Sequence, residues 1–250
     1  MSKVLKHHGV IAIKSKYDEP LNDAKSAEIY GETIELRGTW IVWGNSGNGK
    51  TRYCLGLARQ LAMLKKVAYW SLEEKLKTSF VRAVRGSNMQ DVATNIRFPQ
   101  WKNEAEFRNA LKSSKTPRII FIDSYQYLGL TKREYISLKE EFPNHLFVFV
   151  SHAEGKHPEG RAAKFVRYDA DMKIRVEGYK AFIVSRHGGS PDAEYVIWPE
   201  GAAKYWGVGQ DFKWMDKAKK WLTEQVVDGN IEEEEAEHLC SLMDMTKEIA

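Results

Sequence analysis

A chain of 250 residues that is 43% hydrophobic and 29% charged can build a full core, which excludes a disordered protein. Its formal net charge is only +4, so any affinity for nucleic acid has to come from a local patch and not from the whole surface. Two cysteines, Cys54 and Cys240, exclude a cysteine-only zinc site, and no apolar run approaches the ~20 residues of a membrane span, so a soluble, cytoplasmic protein with no membrane partner is expected.

Residues 1–35 hold one strand candidate, residues 10–13, then a polar stretch with Pro20 as a breaker, and read as an arm or packing extension. Gly38 opens an apolar strand. Directly after it, Gly44, Asn45, Ser46, Gly47, Asn48, Gly49, Lys50 and Thr51 fit G-x-x-x-x-G-K-[ST], and a helical pattern follows with Tyr53, Leu57, Leu61 and Leu64 on one face. Strand, glycine loop and helix in that order make a phosphate-binding loop. Gly44, Gly47 and Gly49 can take the positive φ that turns backbone N–H groups onto a β-phosphate at a helix N-terminus. Lys50 then reaches the β- and γ-phosphates and the Thr51 hydroxyl ligates Mg²⁺, so ATP and Mg²⁺ are the expected cofactors, held by these eight residues.

Residues 66–71 read as a second buried strand, with SLEEK starting a helical segment that Gly86 ends. A short strand near residues 96–98 and a helix over 103–113 follow. The run RIIFID, ending in Asp123, reads as a strand buried on both faces, as does HLFVFVSH at residues 145–152, with a helix carrying Tyr135, Leu138 and Phe142 between them. Nearly all-apolar strands alternating with helices argue for a mostly parallel sheet covered on both sides. Residues 153–167 turn polar and basic and read as a mobile loop. KIRVEG and KAFIVSR, separated by Gly178 and Tyr179, form a hairpin, and residues 193–198 offer one more strand closed by Pro199. Two helices complete the chain, an amphipathic one over 211–226 and an acidic one from Ile231 with Glu232, Glu233, Glu234 and Glu235 in its first turn. The expected division is an N-terminal arm over 1–35, an ATPase core over 36–205 and a helical appendage over 206–250.

Asp123 falls where a P-loop sheet sets a carboxylate beside the Mg²⁺ shell; a strand-end helix cap is the competing reading. Ser124 follows it, so the acid that activates water must come from elsewhere. SLEE supplies one at the end of the second strand. Glu73 is the expected general base and Glu74 the start of the next helix, against the alternative that both are solvated first-turn acids.

The order GNSGNGKT, YWSLEE, RIIFIDSYQ, FVFVSH, DADMKIRVEG and IVSRHGG resembles the RecA-fold ATPases, and among them the RadA and DnaB-type helicase and recombinase cores, over about residues 38–189. The resemblance implies a RecA-like P-loop core with a C-terminal β-hairpin and a terminal helix pair. By the same resemblance Gln126 senses or relays nucleotide state, and His152 contacts the γ-phosphate and leads into a DNA-contacting loop. Arg186 takes the place of the arginine in a Lys-x-Arg-x-Gly pattern that reaches a neighbouring subunit's ATP, which implies a homo-oligomer, ring or filament. Val184 stands where that pattern has its lysine, and a plain surface arginine is the competing reading. Lys156, His157, Arg161 and Lys164 are the nucleic-acid candidates, with Phe165 and Tyr168 available to stack on bases. The function implied is a Mg²⁺-dependent ATPase that couples hydrolysis to single-stranded DNA binding, translocation or remodelling in replication or recombination. The C-terminal helices are then a cap, an oligomer contact or a site for a replication or recombination partner. The alternative is an ATP-switched assembly protein acting on a protein partner without DNA.

Overall fold

The computed structural model describes residues 18–21, 24–207, 213–227, 229 and 231–249; the strand candidate at residues 10–13 lies outside them. In chain order the elements begin with β1 (Asp18–Pro20), α1 (Ala24–Tyr30), β2 (Thr33–Glu35), β3 (Gly38–Gly44), α2 (Lys50–Leu64) and β4 (Val67–Ser71). Then come α3 (Thr78–Arg85), β5 (Ile96–Arg97), α4 (Glu104–Leu111), β6 (Ile119–Asp123), α5 (Tyr125–Leu128) and α6 (Lys132–Glu141). β7 (Leu146–Glu154), β8 (His157–Pro158), α7 (Arg161–Asp169), β9 (Met172–Glu177), β10 (Lys180–Ser185) and β11 (Glu194–Val196) complete one compact unit, which ends at Trp198. A second unit begins at Pro199 and holds α8 (Pro199–Trp206), α9 (Lys213–Val227) and α10 (Glu233–Ile249). Among the described residues no helix is long and apolar enough to cross a membrane.

The main sheet runs β11-β10-β9-β3-β7-β6-β4-β5. Every neighbour pair from β9 to β5 is parallel, while β10 and β11 are antiparallel and β8 folds back on β7. Side chains alternate across the pleat, so each central strand feeds two cores. Trp40, Val42, Ile119, Phe121, Leu146 and Val148 face one, with Tyr53, Leu57 and Leu61 of α2. Ile41, Trp43, Ile120, Ile122, Phe147 and Phe149 face the other, with Phe107 of α4, Tyr135 and Leu138 of α6, and Val166 of α7. Burial on both sides is why these strands read as unbroken apolar runs.

Two expectations change, at residues 153–167 and at SLEEK, while residues 18–21 and 24–35 add to the fold: β1 pairs with β2, and α1 between them buries Ile29 and Tyr30, whose hydroxyl lies 3.1 Å from that of Tyr53. Pro20 ends β1 opposite Thr33, tolerated because both strands of this two-stranded sheet are edges. Residues 153–167 are ordered, as the end of β7, the β7–β8 hairpin and the amphipathic helix α7. Ala163, Val166 and Ala170 recur there at helical spacing and are buried, a period masked in the sequence by the charges around it. SLEEK does not start a helix. Lys75 has a φ of 53°, and helix α3 begins only at Thr78.

Candidate nucleotide site

The sheet register brings the chemistry together. Gly44 at the end of β3 pairs with His152 on β7, and Ser71 at the end of β4 pairs with Asp123 at the end of β6. The carboxyl ends of parallel strands are where open α/β sheets place ligands. Gly47 and Gly49 take positive φ, 77° and 94°, and no side chain caps α2, so the N-terminus of that helix is left for an anion. Gly44 needs glycine for a different reason from the one expected. Its φ is not positive; a Cβ there would run into the Val176 carbonyl oxygen on β9.

The resulting cleft has a volume of about 350 Å³. Ser46, Gly47, Gly49, Lys50, Thr51 and Arg52 line one side, and Glu73, Glu74, Asp123, His152 and Tyr179 line the other. Lys50 Nζ donates to the Asn45 carbonyl at 2.9 Å. Burial holds this ammonium below the ordinary lysine value, against the opposing pull of Asp123 and Glu73. Cys54 is a buried thiol pushed well up by burial, and Cys240 is half-buried and free, so neither adds chemistry here.

Asp123 is buried at 8% exposure and accepts a hydrogen bond from the Tyr69 hydroxyl at 2.8 Å. Burial raises its carboxyl to about 6; the Tyr69 bond opposes that rise, Glu73 adds to it and Lys50 opposes it. A folded-state value above the unfolded 3.8 means that the native protein holds the proton more tightly, so stability falls as pH rises from about 4 to about 6. That loss, about 3 kcal/mol, is complete at pH 7. Asp123→Asn is therefore expected to raise the melting temperature of the metal-free protein at pH 7 by several degrees and to have little effect at pH 4. Thermal denaturation of both proteins at the two pH values checks this.

Glu73 and His152 meet in the cleft. Nε2 of His152 lies 2.9 Å from Glu73 Oε2, and because a carboxylate only accepts, the imidazole donates. Gln126 does not line the cleft. Its Nε2 donates to Ser151 Oγ at 2.8 Å and to the Glu159 carbonyl at 3.1 Å, while its Oε1 accepts from the His152 N–H at 3.2 Å. It thus clamps the backbone at His152 to the base of the β7–β8 hairpin. Glu74 lies in a turn, where it accepts from Ser79 Oγ at 2.6 Å.

Two wall residues escaped the sequence reading. Asn48 Oδ1 accepts from the Gly178 N–H at 2.7 Å and pins the loop to the β9–β10 turn, where Tyr179, at a φ of 60°, stands edge-on to Trp198 with ring centroids 4.9 Å apart. Arg52 needs no special signal beyond its place next to Thr51. Tyr179 had none, because the order of strands in the sheet is not written in a local pattern.

The donor set suits Mg²⁺. Among the described residues no group of three or more His, Cys, Asp or Glu side chains makes a metal cage. Magnesium in phosphoryl-transfer sites takes few protein oxygens and completes its shell from phosphates and water. Thr51 and Asp123 offer such a pair, and the buried Ser71 and Ser124 hydroxyls beside Asp123 have no hydrogen-bond partner.

The remaining candidates lie away from the cleft. Arg186 is 56% exposed on its side chain, and its guanidinium contacts Asp171 Oδ1 and the carbonyls of Tyr168 and Asp169, each at 3.3 Å. Lys156, His157 and Arg161 are exposed at the β7–β8 hairpin and the start of α7. Lys164 is tied to Glu154 at 2.7 Å in a pair that stays exposed, Phe165 packs against Tyr135 beneath Lys132, and Tyr168 is open.

No family model and no curated protein matches the sequence. Among solved structures, the flagellar accessory protein FlaH from Methanocaldococcus jannaschii is similar, with a TM-score of 0.53 and 18% identity over 71% of this chain and 92% of that one. At that identity the likeness is one of fold. The chain has a RecA-like α/β fold, with a mostly parallel central sheet and an antiparallel hairpin at one edge.

Proposed function

We propose that this protein is a Mg²⁺-dependent ATPase that works as a homo-oligomer and couples hydrolysis to single-stranded DNA, in the manner of the RadA and DnaB-type cores. The observation that carries the reading is the convergence of Lys50, Thr51, Glu73, Asp123 and His152, drawn from four strand ends, on one cleft. Bound Mg²⁺ would neutralise phosphate charge. Thr51 and Asp123 would hold the ion, Lys50 and the loop N–H groups would bind the phosphates, and Glu73 would take the proton of the attacking water. His152 holds Glu73 in place and begins the hairpin that carries Lys156 and His157, and Gln126 ties that hairpin to its base. Any displacement of His152 from Glu73 on nucleotide binding or release would therefore pull on the candidate DNA-contacting hairpin.

A second reading has support of its own: an ATP-switched assembly protein acting on a protein partner. Lys164 is paired with Glu154 within the chain and Phe165 is packed away, which thins the DNA-facing set, and one similar solved structure is that of a flagellar accessory protein. ATP turnover measured with Mg²⁺ or EDTA, with and without oligothymidylate, separates the two. We expect Mg²⁺-dependent turnover that DNA stimulates severalfold, and loss of the stimulation in Lys156→Ala/Arg161→Ala. Turnover indifferent to DNA favours the assembly reading. Absence of any Mg²⁺-dependent nucleotide binding by the wild type overturns both.

A further inference from the structure

At the opposite end of the sheet, where the parallel strands begin, lies a cavity of about 720 Å³ whose lining shares no residue with the phosphate-loop cleft. It adjoins a second hollow of about 300 Å³, and the two share Arg97, Lys115, Thr116 and Pro117, so together they form one elongated groove. Five cations line it: Lys65, Lys66, Arg97, Lys115 and Arg118. Its one acid, Glu19, is already paired with Lys65 at 2.6 Å. The other four are exposed and have no carboxylate partner among the described residues. The field they make is felt nearby: burial first, then the Arg118 guanidinium, pushes His145 down to about 4.

The second hollow adds aromatic surface. Phe98 and Trp101 line it, both half-buried. Trp101 stands edge-on to Trp70 at 5.3 Å between centroids and packs on Phe107 at 5.1 Å, so its ring is held rigid before anything binds. Cations that track a chain of phosphates, next to fixed aromatic faces that take unstacked bases, are what a single strand of nucleic acid requires. A compact anion would use the charges and leave Trp101 idle; a duplex keeps its bases stacked and cannot reach it.

The geometry points to this groove as a second binding site, for single-stranded nucleic acid, with phosphates on Lys66, Arg97, Lys115 and Arg118 and a base against Trp101. It is separate from the hairpin of Lys156 and Arg161 and needs no nucleotide.

Fluorescence anisotropy with labelled oligothymidylate, without ATP, on the full chain tests it. Lys66→Ser/Arg118→Ser changes two exposed residues. We expect at least a tenfold loss of affinity at low salt and a fall of about 1.4 in the slope of log K against log salt, the value for two phosphate contacts on a single strand. Lys156→Ala/Arg161→Ala should keep that groove-dependent slope. Photocrosslinking of the wild type to a 5-bromouracil oligonucleotide should label Trp101 or its neighbours, a readout independent of how any variant folds. An unchanged affinity and slope in the groove variant would overturn the proposal, as would crosslinks confined to the β7–β8 hairpin. Binding of inorganic polyphosphate or an acidic peptide with no oligonucleotide binding would also overturn it. Failure of ATP hydrolysis would remove the proposed function above and leave this site standing.

Discussion

Glu73→Gln is expected to lower ATP turnover by about 10² to 10⁴, or roughly 3 to 5 kcal/mol in the barrier, while nucleotide affinity stays within a few fold of wild type. The substitution keeps the shape of the side chain and leaves an amide oxygen to accept from His152 Nε2, now 2.9 Å from the carboxylate, so the cleft wall stands. What it removes is the ability to take a proton. The loop N–H groups, Lys50 and Thr51 are untouched, and these are the groups expected to bind the phosphates. Single-turnover hydrolysis with equilibrium binding of a fluorescent ATP analogue separates the two effects. Glu74→Gln serves as the control, because Glu74 lines the same cleft but is engaged by Ser79. Hydrolysis by Glu73→Gln within about threefold of wild type would move the base elsewhere, and equal losses in both variants would make the effect one of local charge.

The sequence disclosed most about the site where the chain carries its own punctuation. Gly44, Gly49, Lys50 and Thr51 are legible because strand, turn and helix are contiguous, and Asp123 because an apolar run ends on it. Glu73 was legible as the first acid after a buried strand, although the turn that carries it is not helical. Tyr179 was not, because its place in the wall depends on β9 lying beside β3, a pairing across more than a hundred residues. The same limit hid the role of Asn48, whose partner is the Gly178 N–H. Helix α7 was missed for a different reason: Ala163 and Val166 are too few and too small to stand out among Arg161, Lys164 and Arg167, yet they suffice to seat the helix on the second core. The capping box of Thr131 and Glu134, both of its hydrogen bonds present, was a signal available in the sequence that marks the start of α6 to the residue.

Arg186→Ala is expected to reduce turnover by about 10³ to 10⁵ in the assembled protein, and to do so by action on a neighbouring copy. The direction of the strands makes the case. Strand β9 runs parallel to β3, from Met172 opposite Trp40 toward the phosphate-loop end, and β10 runs back from Lys180 opposite Glu177 to Ser185 opposite Met172. Arg186 follows Ser185, and its N–H donates to the Asp171 carbonyl, so it sits at the far end of the sheet from Lys50 and cannot serve its own cleft. Its contacts there, three hydrogen bonds each at 3.3 Å on a side chain more than half exposed, are long enough to be exchanged for a stronger anion. In a head-to-tail assembly such a residue would be available to the next copy's nucleotide. Mixing two inactive variants decides the matter. In a mixture of equal parts Arg186→Ala and Lys50→Ala, about a quarter of random interfaces join an intact loop to an intact arginine, and turnover should recover to roughly that share of wild type. A mixture as inactive as its components, with assembly verified by light scattering, would confine Arg186 to its own chain and remove the reason to expect hydrolysis to depend on assembly.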